Sequence, residues 1–264
     1  MKIAVAYKWA ADPSEASVSP DGQVDFSRAK PKISEYDAVA IAMGRALADA
    51  AGAELVGISA GGSAAATPLA LKAALSRGLD SAVVVQSPDL ESAGTFQTAQ
   101  ALAAAVRHLG DVTLVVCGDS SIDAGAQMVP AVLGGLLGWP ALTDVGAAQL
   151  AAADNRLTAE RSIAEGIQTL VATLPIVISA AAGALAAPAP GMKDILAAAK
   201  KPSQVLSPAD LSLELAAAAP VTAQVKVSGP ARRCVQIDTT DPATAAAELL
   251  AALAAAGTPI GGRS

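Results

Sequence analysis

The sequence predicts an α/β fold built on a parallel sheet. Three observations carry that expectation. Short apolar runs rich in Val and Ile alternate with longer helix-like stretches through the first half of the chain. The runs are apolar throughout rather than alternating, as expected of strands covered by helices on both faces. Hydrophobic residues make up 53% of the chain but aromatics only 2%, so the core is one of small aliphatic side chains, which let helices pack close to a sheet.

Lys2 to Lys8 reads as the first strand, followed by an irregular section to about Pro31. Within it, Asp21-Gly22 between Val18 and Val24 signals a hairpin. Ser34-Glu-Tyr-Asp37 resembles a capping box with Asp in the place of Glu, opening a helix that Gly52 ends. Glu54 to Ser59 is a second strand, and Gly61-Gly62 a loop. Thr67-Pro68 caps a helix that stops at Gly78. Ser81 to Val85 is the third strand, Thr95 to Leu109 a helix closed by Gly110, and Val112 to Cys117 the fourth strand, with a helix from Ala126 to Leu137.

The pattern changes after Pro140. Ala147 to Ala151 and Leu157 to Ile163 flank the turn signal Asp154-Asn155. With Gln168 to Thr173 and Pro175 to Ala181 they read as antiparallel strands appended to the sheet, and Met192 to Lys200 as a short helix. The expected domain boundary falls at 202. From 203 to 264 the chain reads as a C-terminal arm, in which Val221 to Val227 alternates and Asp241-Pro242 caps a last helix to about Ala256. Such an arm suits packing along a partner chain.

The net charge is −6 and no basic patch is evident, which argues against nucleic acid as a partner. Charged residues are 16% of the chain, below the usual quarter. That fits a permanent partner covering one face, and equally a genome that enriches alanine everywhere. Cys117 and Cys234 are far apart and form no CxxC pattern, so no disulfide framework is expected. His108 lies near a helix end, where it suits the helix dipole better than catalysis, and no metal-ligand spacing occurs. The N-terminal apolar run is short and broken by Lys8, unlike a signal peptide. Ala124–Thr143 and Gly166–Met192 are uncharged or nearly so, but prolines and glycines interrupt both, so no membrane insertion is expected. A cytoplasmic location is expected, since the lack of a disulfide framework fits a reducing compartment.

Val112 to Pro130 is the most informative stretch. A strand empties through a loop of Gly, Asp and Ser into a helix. Loop N–H groups and a helix N-terminus together attract anions, and ligands of such folds sit at the carboxyl ends of the strands. A nucleotide binder is one reading, and an ordinary strand-to-helix loop the other. Walker and GxGxxG fingerprints are absent.

Several blocks together carry a resemblance. KIAVAYK, DGQVDFSRAKPKISEYDAVAIA, LSRGLD, VVCGDSSIDAGAQMVP, LTAERSIAEGIQTLVATLPIVIS and PAPGMKDILAAAKKP occur in this order over residues 1 to 210. In content and spacing the chain resembles the beta subunit of electron-transfer flavoproteins, within it the FixA branch. The resemblance implies an adenine-nucleotide-binding domain of the hydrolase-like, Rossmann-like type. It implies an obligate heterodimer with an alpha subunit that holds the redox FAD, while this subunit holds AMP or a second FAD. The pair would be an electron carrier rather than a conventional enzyme. It would take electrons from a dehydrogenase or NADH and pass them to a membrane-associated quinone oxidoreductase or an acyl-CoA-type reductase.

Carried onto this chain, the resemblance places the nucleotide at four points. These are Ala6 at the first strand end, Ser34, Tyr36 and Asp37 beside ribose and adenine, Ala60 at the second strand end, and a phosphate loop. The loop comprises Gly118, Asp119, Ser120, Ser121, Ile122, Asp123, Ala126, Gln127, Met128 and Val129. Asp123 is awkward as a phosphate ligand and better suited to orienting the loop, which leaves Ser120, Ser121 and the backbone to meet the anion. The segment GALAAPAPGM would grip a redox partner through Leu185 and Met192. The chain departs from the family at Ser34-Glu35, commonly Asn-Pro, and at Asp119, commonly Lys or Arg. It departs again at Ala164, usually acidic, and at Ser179, usually Thr or Ala. Arg161 suits an interface or a structural ion pair. The competing reading is a stand-alone nucleotide-sensing protein of the universal-stress type, which would need neither appended strands nor an arm.

Overall fold

The structure is a computed structural model that describes residues 1–19, 23–217 and 234–258. By contact density the chain divides into two units, Met1–Ala219 and Pro220–Ser264. In the first unit, β1 (Lys2–Ala6), β2 (Trp9–Ala11), β3 (Ser17–Val18), β4 (Val24–Asp25) and β5 (Pro31–Ile33) precede α1 (Glu35–Ala51). Then come β6 (Glu54–Gly61), α2 (Pro68–Leu75), β7 (Ser81–Gln86), α3 (Thr95–Leu109), β8 (Val112–Gly118) and α4 (Val129–Leu137). β9 (Ala141–Val145), β10 (Ala147–Ala151), β11 (Arg156–Ile163), β12 (Gly166–Thr173), β13 (Ile176–Ala180), α5 (Met192–Ala198) and β14 (Ser203–Leu206) complete it.

The central sheet has seven strands in the order β14-β7-β6-β1-β8-β13-β9, and every pairing in it is parallel. Alternate residues of each strand face opposite layers. Ile3, Val5, Leu55, Leu114 and Ile178 pack with Ile41 and Leu47 of α1 and Leu75 of α2. Ala4, Val56, Ile58, Val115 and Val177 pack with Leu102 and Val106 of α3 and Leu133 of α4. The expected parallel α/β fold with helices on both faces is therefore present. The chain moves outward through β1, β6 and β7, then crosses back to lay β8 on the other side of β1. This reversal opens a crevice at the carboxyl ends of β1 and β8, where ligands of open α/β sheets bind.

Two expectations need correction. Pro175 to Ala181 is not an appended antiparallel strand, because β13 runs parallel inside the sheet between β8 and β9. Its five residues are all buried, the mark of a strand covered on both faces. Nor do β10, β11 and β12 extend the central sheet; they form an antiparallel sheet of their own. Arg161, a candidate for an ion pair, instead donates to Gln168 across this sheet at 2.8 Å. The short antiparallel pair β3–β4 agrees with the hairpin expected around Asp21-Gly22, though the turn itself lies outside the described residues.

The expected arm begins on its own domain. β14 pairs with β7, and Leu211, Leu213 and Leu215 pack against the core beside α3. Ala216 is fastened by its N–H to Gln100 and by its carbonyl to Gln97. The Val221 to Val227 alternation lies outside the described residues. In the second unit, α6 (Pro242–Ala255) starts as expected, with Asp241 accepting the N–H of Thr244 at 3.1 Å.

Small residues set the distance between layers. Gly44 faces β1 and β6, and a Cβ there would lie 2.6 Å from Val5 Cγ2 and 3.0 Å from Leu55 Cδ1. Gly44→Val should lower the free energy of unfolding by about 1–3 kcal/mol, read as a shifted midpoint with unchanged slope in urea denaturation.

Candidate functional site

A cavity of about 390 Å³ occupies the crevice, within the size range of small-ligand sites. Its floor is made of small residues at strand ends, Ala6 of β1 and Ala60 and Gly61 of β6. Leu90, Thr98 and Leu102 form one wall, and the loop after β8 the other. The N-terminal ends of α3 and α4 reach the rim at Thr95 and at Val129-Pro130, and both present positive partial charge. Gln127 has φ +55 and Met128, next to it, has φ −108 and ψ −21. Backbone of opposite hand at successive residues makes consecutive N–H groups converge, the geometry of an anion-binding nest.

Asp37 ties this rim together. Its carboxyl is buried, accepts the Lys8 N–H at 2.7 Å and is also bonded by the backbone of Gly118. It thus joins the exit of β1, the end of β8 and the first turn of α1. Burial pushes its pKa up to about 7, against the lowering effect of the Lys8 and Gly118 contacts and with a further push from Asp123. Gly118 has to be glycine, since a Cβ there would sit 2.4 Å from Asp37 Oδ1 and 2.9 Å from the Tyr36 carbonyl carbon. The expected capping box is absent: Ser34 stands at the N-cap but makes no cap bond, and the reciprocal bond is missing too, since the Asp37 carboxyl is turned to Lys8 and the Ser34 N–H goes to the Lys8 carbonyl.

The loop is held from within. Asp123 Oδ2 pairs with Lys8 Nζ at 2.7 Å and its Oδ1 accepts the Ala124 N–H. Burial works against its charge, but the bonds to Lys8, Ala124 and Ser121 outweigh it and keep the carboxyl below its usual range. Asp123 thus ties the loop to Lys8 and to its own backbone. Ser121 Oγ accepts the Gly125 N–H. Asp119 Oδ1 accepts from Ser179 Oγ at 3.1 Å, so two of the positions that depart from the family pattern contact each other.

Of the residues singled out from sequence, Ala6, Asp37, Ala60, Gly118, Asp119, Ser120, Ser121, Asp123, Ala126, Gln127 and Val129 line this cavity. Tyr36 and Ile122 line a second, more open cavity of about 720 Å³ on the other side of the same loop, which shares Ser120 and Ser121 with the first. Ser34 is buried, lines neither cavity, and its hydroxyl has no hydrogen-bond partner. Met128 projects outward at 56% exposure, and Leu185 and Met192 are exposed as well. Lys8, Gly62, Glu91 and Thr98 line the cavity unanticipated. Lys8 and Gly62 carried a usable signal, since Lys8 lies two residues past β1 and Gly62 directly follows β6. Glu91 and Thr98 carried none, because only the packing of α3 brings them in.

The cavity can hold a planar base on its small-residue floor and an anion at the nest. Among the described residues, no group of three or more His, Cys, Asp or Glu is placed to hold a metal, and no helix is long and apolar enough to cross a membrane. Cys117, beneath the floor, has its thiol pushed up by burial.

The raised Asp37 value has a consequence for stability. The folded-state value of about 7 exceeds the ordinary 3.8, so the folded form keeps a proton that the unfolded chain has released between those limits. Its stabilising contribution is complete below the lower value and is lost as pH rises through the upper one. Urea denaturation between pH 5 and 8 should show stability falling with pH, by at most ~1.4 kcal/mol per unit from this group. Asp37→Asn should flatten that slope, at the cost of one acceptor for the Lys8 and Gly118 N–H groups.

The sequence model of the electron transfer flavoprotein domain matches residues 21–211. The match spans β4 to β14, including the loop after β8 and both cavities' Ser120 and Ser121. With a parallel α/β domain of this order and the match over most of its length, the chain belongs to the electron transfer flavoprotein domain family.

Proposed function

We propose that this chain is the beta subunit of a heterodimeric electron-transfer flavoprotein, of the FixA branch, holding AMP or a second FAD in the crevice at the ends of β1 and β8. The observation that carries the reading is the cavity of about 390 Å³. It combines a floor of Ala6, Ala60 and Gly61 for a flat base with the Gln127–Met128 backbone for a phosphate. A second cavity of about 720 Å³ shares Ser120 and Ser121 with it. A flavin bound there would supply an electron-accepting ring. The chain's own part is to bind and orient: Lys8–Asp123 pins the loop, and Asp37 fixes the rim.

In this reading the alpha subunit holds the redox FAD. The pair carries electrons in the cytoplasm from a dehydrogenase or NADH to a membrane-associated quinone oxidoreductase or an acyl-CoA-type reductase. The exposed Leu185 and Met192 suit contact with such redox partners. The bare, Ala- and Leu-rich α6, with no buried residue of its own, suits packing on the alpha subunit. The stand-alone universal-stress alternative draws no support from the family match, nor from the separate β10–β12 sheet.

Nucleotide content tests the proposal. The chain is co-expressed with its alpha partner, the complex is denatured, and released FAD and AMP are counted per heterodimer. One FAD with one AMP, or two FADs, supports it. No complex, or no nucleotide beyond the alpha subunit's FAD, overturns it. Gly118→Val, which drives a side chain into Asp37, should cut the nucleotide retained by this subunit at least about fivefold.

A further inference from the structure

We infer that Asp119 is a charge filter on the occupant of the crevice, disfavouring each added phosphate charge and so selecting a nucleoside or monophosphate over free nucleoside di- and triphosphates. The inference rests on the nucleotide reading above and adds the residue that sets the ligand's charge.

The argument begins with charge balance. The cavity is lined by four carboxyl side chains, Asp37, Glu91, Asp119 and Asp123, and among the described residues by a single cation, Lys8. Lys8 is already engaged, its ammonium 2.7 Å from Asp123. Attraction for a phosphate is therefore left to backbone N–H groups and helix N-termini, each end carrying only about half a charge. Such partial charges suffice for one phosphate group. They do not grow when a second is added, whereas repulsion from fixed carboxylates does.

Asp119 is held in place as well. It follows Gly118 at the end of β8 and opens the loop that Ser120 and Ser121 continue. Its Oδ1 is bonded by Ser179 Oγ at 3.1 Å. The Ser179 side chain is completely buried on the neighbouring strand β13, and its oxygen accepts the N–H of Asp144 at 3.1 Å. With that lone pair engaged, the hydroxyl's one proton points to Asp119. Asp144 is held at φ +60, which fixes the direction of its N–H. The chain Asp144 N–H to Ser179 to Asp119 thus anchors a negative charge at the mouth of the phosphate loop. Asp123 has Lys8 to offset it; Asp119 has a neutral hydroxyl.

Calorimetric titration of the heterodimer, co-expressed with its alpha partner and freed of this subunit's nucleotide, with adenosine, AMP and ADP tests the inference. Asp119→Asn keeps an acceptor for Ser179 while removing the charge. It should leave adenosine affinity within about twofold, tighten AMP about fivefold, and tighten ADP more than AMP. A thermal melt matching the wild type establishes that the variant is folded. In the wild-type chain, raising salt from about 20 to 200 mM should tighten ADP relative to adenosine, because screening relieves a net repulsion. This second measurement needs no variant. An equal change for all three ligands in Asp119→Asn would mean that Asp119 acts through loop shape, and the filter is overturned. AMP bound by the wild type with no change in the variant overturns it as well. Failure of wild type and variant to bind any of the three overturns the nucleotide reading itself, and the filter with it.

Discussion

The buried carboxyl of Asp37 is the constraint on which the site depends. Three pieces of chain far apart in sequence meet at it: Lys8 leaving β1, Gly118 leaving β8, and the first turn of α1. A carboxylate in such a place is expensive unless N–H groups surround it. The fold offsets part of that cost by aiming two strand exits at one side chain. The crevice can then have a fixed width, because both strands that bound it are tied to the same helix. The missing side chain at Gly118 follows from this arrangement, since nothing larger fits beside the carboxyl.

Around that tie, the loop after β8 is braced by its own side chains. Lys8 and Asp123 hold one flank, Ser121 closes the turn on Gly125, and Ser179 holds Asp119 from beneath. The N–H groups of the Gln127–Met128 stretch are therefore presented in advance. A site preorganised in this way loses little conformational freedom on binding. Its side chains contribute carboxylates more than cations, so recognition falls to the backbone.

The layered fold was legible in the sequence because the first four strands are short apolar runs separated by glycine-closed helices. The same logic applied to Pro175–Ala181 would have placed it in the central sheet, as Ile176, Val177 and Ile178 are apolar without alternation. The hairpin-like segments before it suggested an antiparallel context instead. Ser203–Leu206 was harder to read: its residues are mostly exposed, and only the outer edge of β7 makes it a strand. Within the site, residues near strand ends could be read from position alone. The Asp119–Ser179 contact could not, because it joins residues of two strands whose adjacency appears only once β13 is known to lie beside β8. Ser34 carried a strong capping signal, but tertiary contacts claimed Asp37 first.

The edge strand β14 has a bearing on how the molecule is made. It is the last strand of the central sheet to be synthesised, yet it covers the flank of β7, one of the earliest. Lys201, just before it, reaches back to the carbonyls of Leu75 and Leu79 at 3.1 and 2.6 Å, so this stretch also closes the end of α2. On a ribosome, the outer edge of β7 stays open through the whole synthesis of α3 to α5. An open edge of Ala82, Val83, Val84 and Val85 is a template for unwanted pairing. Nascent chains therefore pass through a period of exposure that ends only when the segment around 203–206 emerges.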